Sequence, residues 1–198
     1  MYMTFITFII PTIGRETLLN AINSLIEQDD TDWKAIIIFD GIKNNIKKND
    51  DRITVIEVNK QSNAGLVRNI GFQYVKDSEW IGFLDDDDYL SNKYISKLKE
   101  EININNNIEV CIFRMSYPNK FILPTATDRN IIRNRVGISF AIKKYISESI
   151  FFKDSYFEDF YYLKEVQMKK YKILISSYVC YFIRSKPYDC NRFPKIFI

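Results

Sequence analysis

The sequence predicts one α/β domain in which a doubly wound sheet is flanked by helices. Short apolar runs alternate with amphipathic segments through the first half of the chain, and strands that alternate with helices are typical of doubly wound sheets. The apolar runs are continuous, as expected of parallel strands that helices cover on both faces. A chain of 198 residues is long enough for one domain with a sizeable core.

The first half of the chain is expected to supply four strands and three helices. Apolar runs predict the strands, and apolar residues at helical spacing predict the helices. The predicted elements are strand 4–10, helix 16–28, strand 34–39, strand 53–58, helix 65–75, strand 81–84 and helix 92–104. Ligands of such sheets bind beyond the carboxyl ends of the strands, where Asp40 and the aspartates after residue 84 stand.

The second half predicts fewer regular elements. Residues 116–135 carry Pro, Asn and Arg and are expected to form a long loop or lid. The remaining predictions are strand 109–115, strand 137–142, helix 158–170 and a final strand region at 173–183. Because no repeat, linker or low-complexity segment divides the chain, residues 1–198 are predicted to form a single domain.

Composition excludes several classes of function. The net charge of +3 is too small to indicate a nucleic-acid partner, and the lack of histidine removes His-based acid–base chemistry and His metal ligation. Three cysteines without C-x-x-C spacing argue against a disulfide framework or a zinc site, and Cys111 and Cys180 are expected in the core. No apolar stretch is long enough to span a membrane, so we expect a cytoplasmic protein. Its apolar tail, residues 193–198, could contact a membrane surface or a partner, or pack on its own domain.

The most informative feature is a block of four aspartates, residues 85–88, that follows the apolar run 80–84. Alternate side chains of extended backbone share a face, so Asp85 and Asp87 are expected to point one way and Asp86 and Asp88 the other. Two hard oxygen donors at the end of a strand suit Mg²⁺ or Mn²⁺ carrying a diphosphate.

The acidic block has an alternative interpretation. It could be a solvated acidic turn that caps the next helix through Asp88 or Ser91. The pattern of the block alone leaves both interpretations open.

The acidic block lies within an ordered set of motifs. In chain order these are Phe-Ile-Ile-Pro-Thr (8–12) with Arg15, Asn-Ala-Gly-Leu-Val-Arg-Asn-Ile-Gly (63–71), Phe-Leu-Asp-Asp-Asp-Asp (83–88) and Phe-Glu-Asp (157–159). Together they resemble a family 2 glycosyltransferase of the GT-A fold, over most of the chain. The resemblance implies a Rossmann-like mixed sheet, a nucleotide-binding half at about 1–100 and an acceptor and catalytic half at about 101–198.

The resemblance implies a nucleoside pocket at the first two strands. Pro11 and Thr12 would line it, and Arg15 could meet the nucleotide together with backbone N–H groups. Asp40 would accept the uracil N3–H. On the residues alone, a plain strand-to-helix turn and an Asp-Gly turn remain alternatives.

Three further residues would border the donor. Asn63 and Gly65 open a helix, and Gly permits close backbone approach. Arg68 could pair with Asp85 or with phosphate, which suits its planar fork. The alternative is an Asn/Gly helix start followed by a surface arginine.

Within the acidic block, the family pattern Asp-x-Asp-Asp assigns roles residue by residue. Asp85 would contact the ribose or sugar, Asp86 would be the variable position, Asp87 would ligate the metal, and Asp88 would support the site or add a contact. The run allows a shift of one position, so Asp86 and Asp87 could exchange roles. Many relatives carry a later histidine as a metal ligand, and Arg184 would take its place as a cationic clamp on the diphosphate.

The Glu-Asp pair at residues 158 and 159 is expected to supply the catalytic base. By resemblance, Asp159 is the base and Glu158 its neighbour. Shielding by Phe157, Phe160 and Tyr161 would raise the pKa of a carboxylate and suit it to this role. The alternative is a pair of acids in the first turn of a helix.

The resemblance implies a metal-dependent inverting glycosyltransferase, using Mn²⁺ or Mg²⁺. It would move a sugar from a nucleoside diphosphate sugar, expected to be a UDP-sugar, to a hydroxyl of a glycan, lipid or protein. One alternative is a sugar nucleotidyltransferase, although Gly14-Arg15 is sparse for the Gly-rich loop of that class. The other is a degenerate nucleotide-sugar or carbohydrate binding module without catalysis.

Overall fold

The computed structural model of the chain describes residues 3–47, 50–128, 130–184 and 196–197, the last two by their backbone alone. Cys190 and the rest of the predicted tail lie outside the described residues. Cys111 and Cys180 are buried in the core, as expected. No helix in the described part of the chain combines the length and the apolar content that crossing a membrane requires.

Ten strands and four α-helices make up the described fold. The strands are β1 Thr4–Thr12, β2 Trp33–Asp40, β3 Ile53–Val58, β4 Ser78–Phe83, β5 Tyr89–Leu90, β6 Val110–Ser116, β7 Ile122–Leu123, β8 Phe140–Lys143, β9 Ile173–Phe182 and β10 Ile196–Phe197. The helices are α1 Leu18–Ile26, α2 Ala64–Phe72, α3 Tyr94–Ile104 and α4 Glu158–Met168, with a 3-10 helix at Lys144–Glu148.

All ten strands join one mixed sheet in the order β10-β9-β6-β8-β4-β1-β2-β3, with β5 pairing β9 and β7 pairing β6. The strands β3, β2, β1 and β4 run parallel. Strand β8 is antiparallel to both of its neighbours, β4 and β6, and β6 and β9 are parallel to each other. The predicted mixed α/β sheet is therefore confirmed.

The order of the strands reverses on the two sides of β1. The chain leaves β1 through α1 to β2 and β3, and it returns through α2 to place β4 on the other side of β1. On one face of β1, Phe8 contacts Tyr94 of α3, with 5.4 Å between the ring centroids. On the other face, Ile9 packs against α2 at Gly71. Such a reversal leaves a crevice at the carboxyl ends of the strands.

A cluster of aromatic side chains joins α2 and α4 to the sheet beneath this crevice. Phe152 stacks on Tyr162 of α4 at 4.3 Å and on Phe72 of α2 at 6.0 Å. It also meets Phe83 of β4 edge to face at 5.3 Å. The beginning of α4 is consequently packed next to the residues that follow β4.

The expected long loop at residues 116–135 is only partly irregular. Its first part forms a hairpin, in which β7 pairs with β6 and Tyr117 N–H donates to the carbonyl of Phe121. Lys120 takes a positive φ of 62° at the turn. Strands β5 and β7 have two residues each, which is too short for a hydrophobic pattern to predict.

Gly71 lets α2 lie directly on the sheet, and we expect Gly71→Ala to destabilise the fold. A Cβ at this position would lie 2.7 Å from Ile9 Cγ2 and 2.9 Å from Ile38 Cδ1. Overpacking of this kind lowers the free energy of unfolding by about 1–3 kcal/mol, although alanine alone would favour the helix by roughly 0.5–1 kcal/mol. Urea denaturation measures the change, with Gln73→Ala at the exposed C-cap of the same helix as control. A gain in stability for Gly71→Ala would contradict the close packing.

Candidate active site

A cleft of about 460 Å³ lies beyond the carboxyl ends of β1, β2 and β4, at the reversal of strand order. It brings together eleven of the residues singled out from the sequence, from both halves of the chain. They are Pro11, Thr12, Arg15, Asp40, Asn63, Arg68, Asp85, Asp86, Asp87, Glu158 and Arg184. Gly65, Asp88 and Asp159 are not part of its lining.

Asp40 closes one end of the cleft and is buried there, with 5% of its surface exposed. Lys60 Nζ donates to its Oδ2 at 2.7 Å, and Gln61 N–H donates to its Oδ1 at 2.6 Å. Gly41 follows with a φ of 73°, where a Cβ would lie 2.7 Å from Lys60 Cβ. The Asp-Gly turn is thus real, and each carboxylate oxygen keeps a second lone pair that could accept an N–H of a base.

The expected alternation of side chains in the acidic block is wrong, because the backbone turns there. Asp88 N–H donates to the carbonyl of Asp85 at 3.2 Å, which closes a turn directly after β4. Asp85, Asp87 and Asp88 therefore converge, and each offers a carboxylate oxygen within 4.8 Å of the others. We call these three residues the acidic trio.

Asp86 points away from the acidic trio and holds the end of β1. It is 2% exposed. It accepts hydrogen bonds from Thr12 Oγ1 at 2.6 Å and from Arg15 Nη1 at 2.5 Å. Thr12 Oγ1 in turn accepts the N–H of Gly14 at 2.9 Å. Of the two positions that a shift could exchange, the structure joins Asp87 rather than Asp86 to the trio.

Three aspartates of the block are each paired with an arginine from a different part of the chain. Asp85 pairs with Arg68 of α2, Asp86 with Arg15 after β1, and Asp87 with Arg184 after β9. The exposed fraction of the side chain is 2% for Arg68 but 71% for Arg184. Arg15 Nη1 also lies 3.8 Å from Asp87 Oδ2. Three of the four negative charges are therefore balanced within the protein.

Asp88 lies behind the cleft and anchors the segment after β9. It is 3% exposed, and its Oδ1 accepts the backbone N–H of Arg184 at 2.9 Å. Burial, reinforced by the neighbouring charge of Asp85, raises the pKa of Asp88 to about 8. Arg184 itself has a φ of 46°, in the left-handed region that non-glycine residues seldom adopt.

The donor set of the acidic trio fits a hard divalent cation. Mg²⁺ and Mn²⁺ prefer carboxylate oxygens, and the trio offers three of them within 4.8 Å of one another. Asp85, Asp87 and Asp88 would hold the ion.

Helix α2 and its N-cap residue contact the second half of the chain through three side chains. Asn63 caps the helix by accepting Leu66 N–H at 3.0 Å and donates to Asp154 Oδ1 at 2.7 Å. Asn69 donates to the carbonyl of Phe152 and accepts its N–H, both at 2.8 Å. Between them, Arg68 donates to Glu158 Oε1 at 3.1 Å. Residues 152–158 are thereby held against α2.

Gly65 is placed differently from the expectation that it approaches a nucleotide. It is buried inside the protein, and a Cβ there would lie 2.7 Å from Glu158 Cγ and 2.9 Å from Phe152 Cβ. Its lack of a side chain lets the segment before α4 pack against α2. Gly65 therefore contributes to the cleft by its packing and does not line it.

Glu158 and Asp159 form the first turn of α4 and face different surroundings. Glu158 lines the cleft and is paired with Arg68. Asp159 is half-buried and accepts the N–H of Phe160 at 2.6 Å, and its Oδ2 lies 3.5 Å from the position of a Cβ on Gly137. Burial raises the pKa of Asp159 to about 6, against the opposing effects of the Phe160 N–H and Arg68.

Sequence reasoning missed several residues of the cleft, notably Lys60, Ser155 and Tyr156. Lys60 stands in the polar segment after β3, where no pattern distinguishes it from solvated neighbours. Tyr156 is 89% exposed at the mouth of the cleft and meets Phe157 edge to face at 5.0 Å. Only its position two residues before Glu158 could have drawn attention to it.

Comparisons with known proteins match this arrangement to one family. The family model of glycosyl transferase family 2 matches residues 7–191. EpsJ of Bacillus subtilis (strain 168), described as an uncharacterized glycosyltransferase, is 29% identical over 150 residues, which cover 70% of this chain and 42% of EpsJ. The chain thus spans less than half the length of this curated relative.

Solved structures share the fold. The crystal structure of S. aureus TarS 1-349 in complex with UDP-GlcNAc has a TM-score of 0.77 and 17% identity, covering 93% of this chain and 60% of that chain. The mannosyltransferase PcManGT from Pyrobaculum calidifontis, in complex with GDP-Man and Mn²⁺, has a TM-score of 0.65 and 12% identity, covering 87% and 54%. The GT-A fold expected from the sequence is confirmed.

Removing Arg68 should destabilise the protein strongly, because Asp85 and Glu158 would both lose their buried partner. Leaving a buried charge unpaired typically lowers the free energy of unfolding by about 3–5 kcal/mol. We expect the loss of stability in Arg68→Met to lie near the lower end of this range, because the side chain of Asp85 is 33% exposed. Guanidinium denaturation measures the change.

The matched control for Arg68→Met is Lys153→Met. Lys153 is 60% exposed and pairs with Glu165 at 3.5 Å, and exposed pairs contribute about 0–1 kcal/mol. Equal losses for the two variants would contradict a structural role for the Arg68 pair.

Proposed function

The chain belongs to glycosyl transferase family 2, and from this premise we propose that it transfers a sugar from a UDP-sugar to a hydroxyl acceptor with the help of a divalent cation. One observation carries the proposal. A single cleft at the reversal of strand order is lined by two members of the acidic trio, Asp85 and Asp87, by two accessible arginines and by the buried carboxylate of Asp40. These are the groups that a metal, a diphosphate and a nucleobase would each require.

The choice of UDP rests on Asp40 and on two structural neighbours. TarS structures were solved with UDP-GlcNAc and with UDP. Asp40 and Lys60 present an acceptor and a donor side by side, 2.7 Å apart. Uracil offers the complementary pair, an N3–H donor next to a carbonyl acceptor. The donor sugar would then lie toward Glu158 and Tyr156.

The acidic trio supports the metal. Structures of PcManGT and of GalNAc-T7 contain Mn²⁺, and the trio provides oxygen ligands of the right type. A bound Mn²⁺ or Mg²⁺ would neutralise the negative charge that develops on the departing diphosphate. Arg15 and Arg184 line the same cleft and would add further positive charge beside it.

We propose a single displacement with inversion at the anomeric carbon. The acceptor oxygen forms a bond to that carbon while the bond to the diphosphate breaks and UDP leaves. Asp159 takes the acceptor proton. Glu158 is the weaker candidate, because its Oε1 is already occupied by Arg68 at 3.1 Å.

A nucleotide-sugar binding module without catalysis is the second candidate. One observation favours it: Asp159 does not line the cleft, and one of its oxygens accepts the N–H of Phe160. Hydrolysis of a UDP-sugar by the full chain would decide for an enzyme. Binding without hydrolysis or transfer would decide for the module.

Calorimetry with nucleotides tests the proposed donor and metal. UDP should bind the full chain more tightly than GDP or ADP, and Mn²⁺ should strengthen its binding. Asp87→Ala should abolish the Mn²⁺-dependent part, whereas the exposed Asp51→Ala should leave it intact. Equal affinities for the three nucleotides would refute Asp40 as a base reader, and unchanged Mn²⁺ dependence in Asp87→Ala would refute the metal site.

The pH dependence of turnover tests Asp159 as the base. A base must be deprotonated, so hydrolysis of the UDP-sugar should rise as pH increases through about 6 and level off above it. Asp159→Asn should lower the rate by roughly 10²–10⁴, the usual range for a general base, with UDP affinity unchanged. Glu158→Gln should have a smaller effect on the rate. If Asp159→Asn keeps the normal rate and Glu158→Gln is slow, Glu158 rather than Asp159 is the base.

A further inference from the structure

Arg184 contacts a carboxylate oxygen of Asp87 that a metal could use. Its Nε lies 2.9 Å from Asp87 Oδ2, and its backbone N–H donates to Asp88 Oδ1 at 2.9 Å. One residue therefore contacts two members of the acidic trio. Arg184 and Asp87 are 97 positions apart in the chain, so the fold brings them together.

A metal ion on Asp87 Oδ2 would compete with this guanidinium. A bound Mg²⁺ lies about 2.0–2.1 Å from a carboxylate oxygen, closer than the guanidinium nitrogen, and the two positive charges would repel. Resting on the proposed function, we infer that Arg184 is a built-in competitor of the divalent cation: it neutralises Asp87 until the metal binds, and it then turns to the diphosphate of the donor.

The anchoring of Arg184 suits this exchange. The guanidinium side chain is 71% exposed, so it can leave Asp87 without opening the core. The backbone stays fixed, because its N–H is held by the buried carboxylate of Asp88. Arg68 differs on this point, since its side chain is 2% exposed and held by two carboxylates.

Breaking the pair couples the two ligands. The first ligand to bind, metal or diphosphate, breaks the Arg184–Asp87 contact. The second ligand then binds without the free-energy cost of breaking that contact. Such coupling is reciprocal and positive. Loss of the Arg184 side chain should consequently act in opposite directions on the two ligands: the metal alone binds more tightly, and UDP binds more weakly once metal is present.

Titration of Mn²⁺ into the full chain without nucleotide, followed by electron paramagnetic resonance of the free ion, tests the competition. Arg184→Ala retains the backbone N–H to Asp88 and should tighten Mn²⁺ binding by roughly two- to fivefold, the value of an exposed ion pair. Lys153→Ala is the matched control, because it removes the same charge from an exposed ion pair outside the cleft. It should leave Mn²⁺ affinity unchanged.

The outcomes separate this inference from the proposed function. Unchanged or weaker Mn²⁺ binding by Arg184→Ala overturns the competition, and equal tightening by both variants overturns it in favour of a general charge effect. Tighter Mn²⁺ binding by Arg184→Ala alone, with weaker UDP binding at saturating Mn²⁺, supports it. If neither the natural chain nor Arg184→Ala binds Mn²⁺ while UDP still binds, the metal site and the competition both fail. If Mn²⁺ behaves as expected and UDP does not bind, only the proposed donor fails.

Discussion

The neutralisation of four adjacent carboxylates is the constraint on which this site depends. Aspartates at residues 85–88 would repel one another at the end of a buried strand. Three of them form ion pairs with Arg15, Arg68 and Arg184, which come from different parts of the chain. The fourth carboxylate, Asp88, is buried with a pKa raised to about 8. The block therefore reaches its geometry only when the turn after β1, helix α2 and the end of β9 are all in place. Charge balance thus links the cleft to the whole sheet.

Helix α2 connects this charge balance to the position of residues 152–158 in the second half of the chain. Arg68 is shared between Asp85 and Glu158, and Asn63 and Asn69 hold the chain on either side of it at Asp154 and Phe152. Gly65 and Gly71 remove the side chains that would keep α2 away from that segment and from the sheet. The distance between the acidic trio and the start of α4 is consequently set by one helix packed between them.

The sequence predicts well what depends on local patterns. Strands β1 to β4 and the four helices follow from continuous apolar runs and helical spacing, and the cleft lies beyond the carboxyl ends of the strands, as expected. Local patterns gave a wrong prediction where the backbone turns. The side chains of residues 85–88 do not alternate as expected, because the hydrogen bond from Asp88 N–H to the carbonyl of Asp85 closes a turn. Local patterns also say nothing about partners distant in sequence, such as Arg184 for Asp87 or Lys60 for Asp40. Only the family resemblance brought Arg184 and Asp159 into consideration.

Glu158 and Asp159 show how neighbouring carboxylates can acquire different chemistry. Both lie in the first turn of α4. Glu158 faces the guanidinium of Arg68, so its oxygen is committed to an ion pair. Asp159 turns the other way, toward Gly137, and desolvation there outweighs both the N–H of Phe160 and the charge of Arg68, leaving its pKa at about 6. A carboxylate with that pKa is largely ionised at neutral pH yet still basic enough to take a proton. The pairing of Glu158 with Arg68, rather than any difference in sequence position, therefore supports the proposal that Asp159 is the base.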